Sequence, residues 1–184
     1  MTFPIVAYGD PILKKMAQPI TKDYPNLSEL IENMYETMYR ANGLGLAAPQ
    51  VGLSIRLFVV DASKVEKEDL KDFKKIFINA QILEETGDEW MYNEGCLSIP
   101  GIREDIYRIP KIKIKYVDEN FIEHTEEYSG IAARVIQHEY DHINGVLFTD
   151  RISSLKKRIL KNRLADISKG RVDVDYKMKF PLKR

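Results

Sequence analysis

The sequence predicts an α+β fold in which mostly antiparallel strands surround a central helix carrying a histidine motif, with helices near both ends of the chain. Residues 111–117 alternate lysines with apolar side chains, the pattern of a strand with one buried face. Apolar residues recur at helical spacing in 27–38, 131–142 and 152–167. We expect residues 1–184 to form one domain, because no repeat or linker interrupts them.

The composition is that of an ordinary globular protein, with 44% hydrophobic and 30% charged residues. No apolar run approaches the ~20 residues that span a bilayer, so no membrane partner is expected. The N-terminal stretch lacks the basic start and apolar core of an export signal. A single cysteine excludes an internal disulfide, and together these features favour a cytoplasmic location.

Helices near the two ends are predicted by apolar stripes. Asn26 and Glu29 have the spacing of a capping box before the first helix, which should run to about Ala41. Gly43 should follow its end with a positive φ. The last helix should end at Gly170, and its stripe comprises Ile152, Leu155, Ile159, Leu160, Leu164 and Ile167.

Short β-branched and aromatic runs predict the strands. Residues 62–73, dense in charged side chains, should form an exposed insertion, and His124 should be exposed as well. The lysines of 111–117 should face water, and we expect no DNA partner. The predicted strands are 56–60, 75–78, 81–91 with a turn at 86–88, 111–117, and 121–128 after a hairpin turn at 118–120.

Residues 134–145, R-V-I-Q-H-E-Y-D-H-I-N-G, contain two of the protein's three histidines. His138 and His142 are four apart, so a helix places them on one face, and Glu139 can reach the space in front of both. This H-E-x-x-H pattern supplies two metal ligands and a carboxylate for the proton of a water on that metal. The alternative is a helix that carries two incidental histidines and ends near Gly145.

A catalytic metal needs a third protein ligand, and Cys96 is the one cysteine in the chain. A lone cysteine is usually a small buried hydrophobe. In residues 93–100, N-E-G-C-L-S-I-P, it follows a predicted strand and precedes a turn, where it could project into a cleft. A thiolate with two imidazoles would leave the fourth position of a tetrahedral ion open, and ligand type alone suggests zinc.

Residues 43–52, G-L-G-L-A-A-P-Q-V-G, form a run of small side chains. The run is not a dinucleotide loop, because Ala48 replaces the third glycine and the run follows a helix instead of a strand. Small residues let another chain approach the backbone, and Gln50 adds an amide that donates and accepts. A tight connection packed for steric reasons explains the run equally well.

Together these segments resemble the bacterial type of peptide deformylase. The family motifs G-x-G-x-A-A-x-Q, E-G-C-x-S and H-E-x-D-H match residues 43–50, 94–98 and 138–142, in the same order. The resemblance covers most of the chain and departs at 62–73 and in the tail. It implies a metal-dependent hydrolase that removes the formyl group from the formylmethionine of newly synthesised polypeptides and releases formate.

The resemblance also implies a metal centre. Cys96, His138 and His142 would hold the ion, which in this family is natively Fe²⁺ and can be replaced by Zn²⁺ or Ni²⁺. Glu139 would accept a proton during attack on the formyl carbon and return it to the leaving amine.

Substrate contacts follow from the same resemblance. The side-chain amide of Gln50 and the backbone N–H of Leu97 would donate to the oxyanion. Gly45 would bind the N-formylmethionyl peptide through its backbone, and Leu44 and Val135 would form walls of the pocket for the formylmethionine side chain.

Arginines and acids around the motifs leave alternatives open. Arg103 matches a family arginine near the peptide entrance, but a structural salt bridge would explain it as well. Asp141 should fix the motif helix through an arginine such as Arg108. A zinc peptidase and a non-enzymatic module stabilised by metal are the rival interpretations of the whole pattern.

The net charge is zero, but residues 151–184 carry twelve Lys and Arg against three Asp and Glu, which favours an anionic partner. The resemblance suggests the ribosome, since this family can dock there through its C-terminal helix. The alternative is a solvated helix face followed by a partly disordered tail. The residues expected to contact ribosomal RNA phosphates are Lys156, Lys157, Arg158, Lys161 and Arg163.

Overall fold

The computed structural model describes residues 1–182, with Glu68 by its backbone alone. Within that range it has three α-helices, α1 (Leu27–Arg40), α2 (Gly130–Ile143) and α3 (Ser154–Ser168). The strands are β1 (Ile5–Val6), β2 (Gly45–Ala47), β3 (Leu57–Asp61), β4 (Lys74–Thr86), β5 (Trp90–Cys96), β6 (Ile99–Arg108), β7 (Lys111–Val117), β8 (Glu123–Ser129) and β9 (Met178–Lys179). Short 3-10 helices occupy Pro11–Lys14, Ala48–Val51, Glu68–Leu70 and Phe148–Asp150.

The strands form one large sheet and two small ones. Antiparallel strands in the order β2-β3-β4-β7-β8 make the large sheet, and α2 packs against β2, β3, β7 and β8. Strands β5 and β6 form a separate antiparallel hairpin, and β1 pairs with β9 in parallel. The predicted α+β class with mostly antiparallel strands is confirmed. None of the helices in the described range has the length and apolarity that a membrane span requires.

The alternating pattern of 111–117 is confirmed as β7. Ile112, Ile114 and Tyr116 are buried, while the lysines between them lie on the outer face.

The prediction that His124 is exposed is wrong. Its Nε2 lies 2.8 Å from Asp118 Oδ2 and its ring stacks on Tyr116, so the side chain is half-buried.

Helix α1 has the predicted extent, but its caps differ from the prediction. Asn26 has a φ of 54° and makes no capping hydrogen bond through its side chain, because an N-cap side chain reaches the first turn from extended backbone. Asn42, with a φ of 55°, takes the positive φ expected of Gly43. Gly43 instead makes room for Leu97, whose Cδ1 would lie 2.8 Å from an added Cβ.

The strands between residues 81 and 108 were predicted only in part. The turn at 86–88 is confirmed, with Gly87 at a φ of 101°, but the chain beyond it leaves the large sheet and starts the β5–β6 hairpin. Strand β6 occupies the segment after Cys96, for which the sequence predicts only a turn. A register shift between Gly95 and Cys96 re-aims the cysteine at the tip of this hairpin.

The exposed insertion and the last helix each differ in detail from the prediction. Residues 62–73 are mostly exposed, but Ala62 and Leu70 are buried against the start of α2. In α3 the expected burial of Leu155 and Ile159 is wrong, since they are 64% and 68% exposed. The buried face is that of Leu160, Leu164 and Ile167, about 100° around the helix from Ile159.

The tail was expected to be partly disordered, but within the described range it folds back along the N-terminal arm. Ile5 N–H donates to Lys177 O at 2.8 Å, and Ala7 N–H donates to Lys179 O at 2.9 Å. These bonds form the β1–β9 pair. Lys183 and Arg184, which belong to the predicted basic tail, lie outside the described residues.

Candidate active site

A cleft of about 640 Å³ lies between β2, the β5–β6 hairpin and α2. Its volume is in the range of small-ligand sites. His142 lies behind the cleft wall and is 1% exposed. The predicted site residues that line the cleft are Leu44, Gly45, Gln50, Cys96, Leu97, Arg103, Val135, His138 and Glu139.

A cluster of one thiol and two imidazoles lies at the base of the cleft. Helix α2 places the rings of His138 and His142 with their centroids 5.1 Å apart. Cys96 Sγ lies 3.3 Å from His142 Nε2, and the ligand-capable atoms of all three residues lie within 4.8 Å of one another. This donor set suits a divalent transition metal, so the residues present fit such an ion.

The buried carboxylate of Glu94 orients this cluster. Its Oε2 lies 3.0 Å from His138 Nδ1, which leaves Nε2 of that ring for the cluster. Arg108 donates to both Glu94 oxygens, at 2.7 and 3.0 Å, and Arg134 donates to Oε1 at 3.0 Å. Burial raises the pKa of Glu94, but the hydrogen bonds from His138 and Arg108 outweigh burial and hold it well below its usual range.

The imidazoles themselves have opposite electrostatic environments. Burial lowers the pKa of His138, but hydrogen bonds to Cys96 and Glu94 outweigh burial and raise it well above its usual value. Burial and the neighbouring His138 lower the pKa of His142 well below its usual value. His142 Nδ1 has no hydrogen-bond partner among residues 1–182.

The expected pairing of Asp141 with Arg108 is present. Arg108 Nη1 donates to Asp141 Oδ2 at 2.8 Å, and Arg151 donates to both oxygens of Asp141 at 2.7 Å. Arg108 therefore links α2 to Glu94 on β5. The sequence predicts no role for Glu94, although it stands in the same motif as Cys96, two residues before it.

Glu139 places a buried and unsatisfied carboxylate oxygen at the cleft. It is 4% exposed, and its Oε2 has no hydrogen-bond partner within residues 1–182. Burial raises the pKa of this carboxyl to about 7. A Cβ at Gly45 would lie 2.5 Å from Glu139 Oε1, so only glycine at that position gives the carboxylate its space.

Gln50 presents its NH₂ group to the cluster. Its Oε1 accepts a hydrogen bond from Ala47 N–H at 2.9 Å, which fixes the orientation of the amide. Its Nε2 lies 3.5 Å from Cys96 Sγ and 3.3 Å from Ser98 Oγ. Ser98 was not predicted as a partner, although it stands in the same motif as Cys96.

The other expected substrate contacts lie on the cleft walls. Leu44 directly precedes β2, Gly45 begins that strand, and Val135 lies on α2 one turn before Glu139. Arg103 is exposed on β6, and it donates to the side-chain and backbone oxygens of Asn93, both at 2.8 Å. No carboxylate within the described range pairs with it.

The tail contributes a part of the cleft that sequence reasoning missed. Asp173, Val174, Asp175 and Tyr176 line it, and the Tyr176 hydroxyl donates to Leu97 O at 2.8 Å. These residues lie far along the chain from every motif, and no local pattern signals that they return to the cleft.

Comparison with known proteins identifies the family. A family model described as polypeptide deformylase matches residues 2–158. The chain belongs to this family. It is 61% identical to a peptide deformylase of Christiangramia forsetii over 190 aligned positions, which cover 98% of this chain and 97% of that protein. It is 60% identical to the peptide deformylase of Flavobacterium psychrophilum, with full coverage of both chains.

Solved structures of peptide deformylases share the fold. The structure from Legionella pneumophila has a TM-score of 0.82 at 35% identity, covering 93% of this chain and 98% of that one. The Thermotoga maritima structure has a TM-score of 0.76 at 46% identity, covering 83% and 99%. This deformylase is thus a metal-dependent hydrolase that removes the N-terminal formyl group from newly synthesised polypeptides. The peptidase and non-enzymatic interpretations are set aside.

Substitution of Gly45 by alanine tests the close approach of β2 to Glu139. We expect kcat for deformylation to fall about 100-fold, because the added methyl displaces the carboxylate by up to an ångström. Steady-state formate release should be measured together with bound metal and the thermal unfolding midpoint, which should change little. Gly130→Asn is the control for loss of a glycine, since an added Cβ there meets nothing within 4 Å and asparagine accepts the φ of 58° better than other side chains do. Wild-type activity in folded Gly45→Ala protein would contradict the steric argument.

Proposed function

We propose that Cys96, His138 and His142 hold the catalytic metal ion and that Glu139 transfers protons as the formyl group is hydrolysed. The convergence of three ligand atoms within 4.8 Å beside a buried carboxylate oxygen without a partner in residues 1–182 carries this proposal. We also propose that α2 is the central element of the fold, which its packing against both ends of the large sheet supports.

The proposed ion is Fe²⁺, with Zn²⁺ or Ni²⁺ able to replace it. The choice of iron rests on the family resemblance, since a thiolate with two imidazoles also suits zinc. When bound, the ion would supply Lewis acidity toward water and toward the formyl oxygen.

Glu139 has the position that a proton-transfer group needs. No protein group within the described range competes for its Oε2, so this oxygen can accept a proton from the attacking water. The water oxygen becomes part of formate as the C–N bond breaks. The carboxyl then returns the proton to the amine nitrogen of the shortened peptide.

Two donors are proposed for the oxyanion, the Nε2 of Gln50 and the backbone N–H of Leu97. The Gln50 amide can turn only its NH₂ group to the cleft, because its oxygen is bonded to Ala47 N–H. Loss of one such donor costs about 3 kcal/mol in comparable sites.

The cleft walls are proposed to hold the substrate. The backbone of Gly45 lies beside Glu139, where it can pair with the peptide backbone. Leu44 and Val135 supply apolar surface for the formylmethionine side chain, and Arg103 lies exposed on β6 where the peptide leaves the cleft.

Replacing Glu139 by glutamine tests the proton-transfer role. We expect turnover to fall by at least about 100-fold with metal content unchanged, because the amide cannot accept the proton. Formate release from formyl-Met-Ala-Ser should be measured on iron- or nickel-loaded protein, with Glu127→Gln on the exposed face of β8 as control. Near-normal turnover in Glu139→Gln would refute the role, and no formate from the folded, loaded wild type would refute the assigned site.

Protein purified without oxygen tests the choice of metal. We expect about one Fe²⁺ per chain by elemental analysis and a large loss of bound metal in Cys96→Ser, which removes the thiolate. Air should inactivate the iron form faster than a nickel-loaded form, because a thiolate beside Fe²⁺ is prone to oxidation. Zinc alone in fully active anaerobic protein would contradict the assignment.

We propose a cytoplasmic enzyme that meets its nascent substrates at the ribosome, with α3 as the docking element. Arg158 and Lys161 support this, because they are exposed and have no hydrogen-bond or ion-pair partner among residues 1–182. Leu155 and Ile159 add exposed apolar surface on the same helix.

The other three basic residues named for docking have partners within the protein. Lys156 Nζ binds Glu104 at 2.6 Å, Lys157 donates to a backbone oxygen at 3.0 Å, and Arg163 donates to another at 2.6 Å. The docking proposal therefore rests mainly on Arg158 and Lys161.

Charge reversal of Arg158 and Lys161 to glutamate tests docking. We expect salt-sensitive co-sedimentation with ribosomes to weaken about tenfold, since phosphate contacts are lost and counterion release falls. The control is the same reversal at Lys111 and Lys113 on β7, which should sediment like the wild type. Undiminished co-sedimentation of the α3 variant would exclude this surface.

A further inference from the structure

The segment 173–176, which follows α3, is part of the catalytic cleft. Its four residues line the same cavity as Cys96, Leu97 and Glu139. The family model for polypeptide deformylase ends at residue 158, so its match does not include this segment. Its position beside the reacting groups gives it access to any substrate that reaches them.

Contacts within the segment, and on the chain before and after it, hold residues 173–176 in place. The Tyr176 hydroxyl donates to Leu97 O at 2.8 Å, and burial raises the pKa of this tyrosine, which keeps the hydroxyl a neutral donor. Two residues later β9 pairs with β1, and before it Val172 packs on the core beside α3. The wall is therefore tied directly to Leu97, the residue whose backbone N–H we assign to the oxyanion.

The segment also brings unpaired negative charge to the cleft. Asp173 and Asp175 are exposed, and their carboxylates have no hydrogen-bond or ion-pair partner within residues 1–182. The other acid on the lining besides Glu139 is Glu94, which is neutralised by two arginines. A substrate side chain that passes the tail therefore meets two free carboxylates.

We propose that residues 173–176 form a specificity-determining wall of the substrate cleft. Tyr176 is its positioning residue, and the carboxylates of Asp173 and Asp175 favour substrates with Lys or Arg directly after formylmethionine. Only the N-terminus of a nascent chain enters the cleft, so the residues that follow must pass its lining. The proposal rests on the assigned placement of the formyl group beside Cys96 and Glu139.

The specificity is tested by comparing formyl-Met-Lys-Ser, formyl-Met-Glu-Ser and formyl-Met-Ala-Ser. We expect kcat/KM to favour the lysine peptide over the glutamate peptide about fivefold at low salt, since exposed charge pairs contribute modestly. The ratio should fall toward one near ~0.5 M salt because of screening. In the Asp173→Asn/Asp175→Asn variant, the ratio of kcat/KM for the lysine peptide to that for the glutamate peptide should be near one already at low salt.

Asp69→Asn/Asp72→Asn is the matched control, since it removes two exposed carboxylates away from the cleft and should keep the wild-type ratio. A wild-type ratio near one, or a ratio unchanged in the Asp173/Asp175 variant, would overturn the specificity. Failure of the assigned catalytic site would instead show as no formate from any of the three peptides.

The positioning role has its own test. Tyr176→Phe keeps the ring and loses the hydrogen bond to Leu97, so we expect kcat to fall about tenfold for all three peptides with KM and bound metal little changed. A purely structural role would instead lower the unfolding midpoint and leave kcat of the folded protein intact. That second outcome would remove Tyr176 from the proposal.

Discussion

The thiol and imidazole cluster of Cys96, His138 and His142 depends on the buried carboxylate of Glu94. The thiol arrives on a hairpin and the imidazoles on a helix, so an interaction must hold the two elements together at atomic distance. Glu94 does so from β5, with Arg108 on β6 and Arg134 and His138 on α2. A charge buried without partners is strongly unfavourable, and here both oxygens are bonded to donors. Removing any one partner would leave this buried charge less well compensated beside the proposed metal ligands, which couples the fold to the site.

The small side chains of residues 43–52 are a second requirement of the site. In the run at 43–52, the steric explanation and the proposed chemical role amount to the same constraint. Gly43 gives space to the side chain of Leu97, and Gly45 gives space to the carboxylate of Glu139. The backbone of β2 therefore comes close to the proposed reacting groups because two side chains are absent. Gln50 follows β2 in the chain, and this close approach of the backbone places its side-chain amide next to Cys96.

Regular spacing made much of this structure predictable. The alternation of β7, the stripe of α1 and the i, i+4 histidines of α2 are local properties, and their elements follow from backbone geometry. The features that were missed depend on distant parts of the chain. The φ of Asn26 and the exposure of Ile159 are set by how each helix meets its neighbours. The return of the tail to the cleft depends on a strand pairing between the chain's two ends, which no local window contains.

The parallel pairing of β1 with β9 has a consequence for the order in which the protein is made. Tyr176 and β9 follow the three proposed metal ligands and Glu139 along the chain, so ribosomal synthesis delivers them later. A growing chain could assemble the thiol and imidazole cluster before it has the wall that holds Leu97. Maturation of the cleft is then a late event of biosynthesis, and a peptide added after β9 would extend from a strand that lies next to the cleft wall formed by residues 173–176.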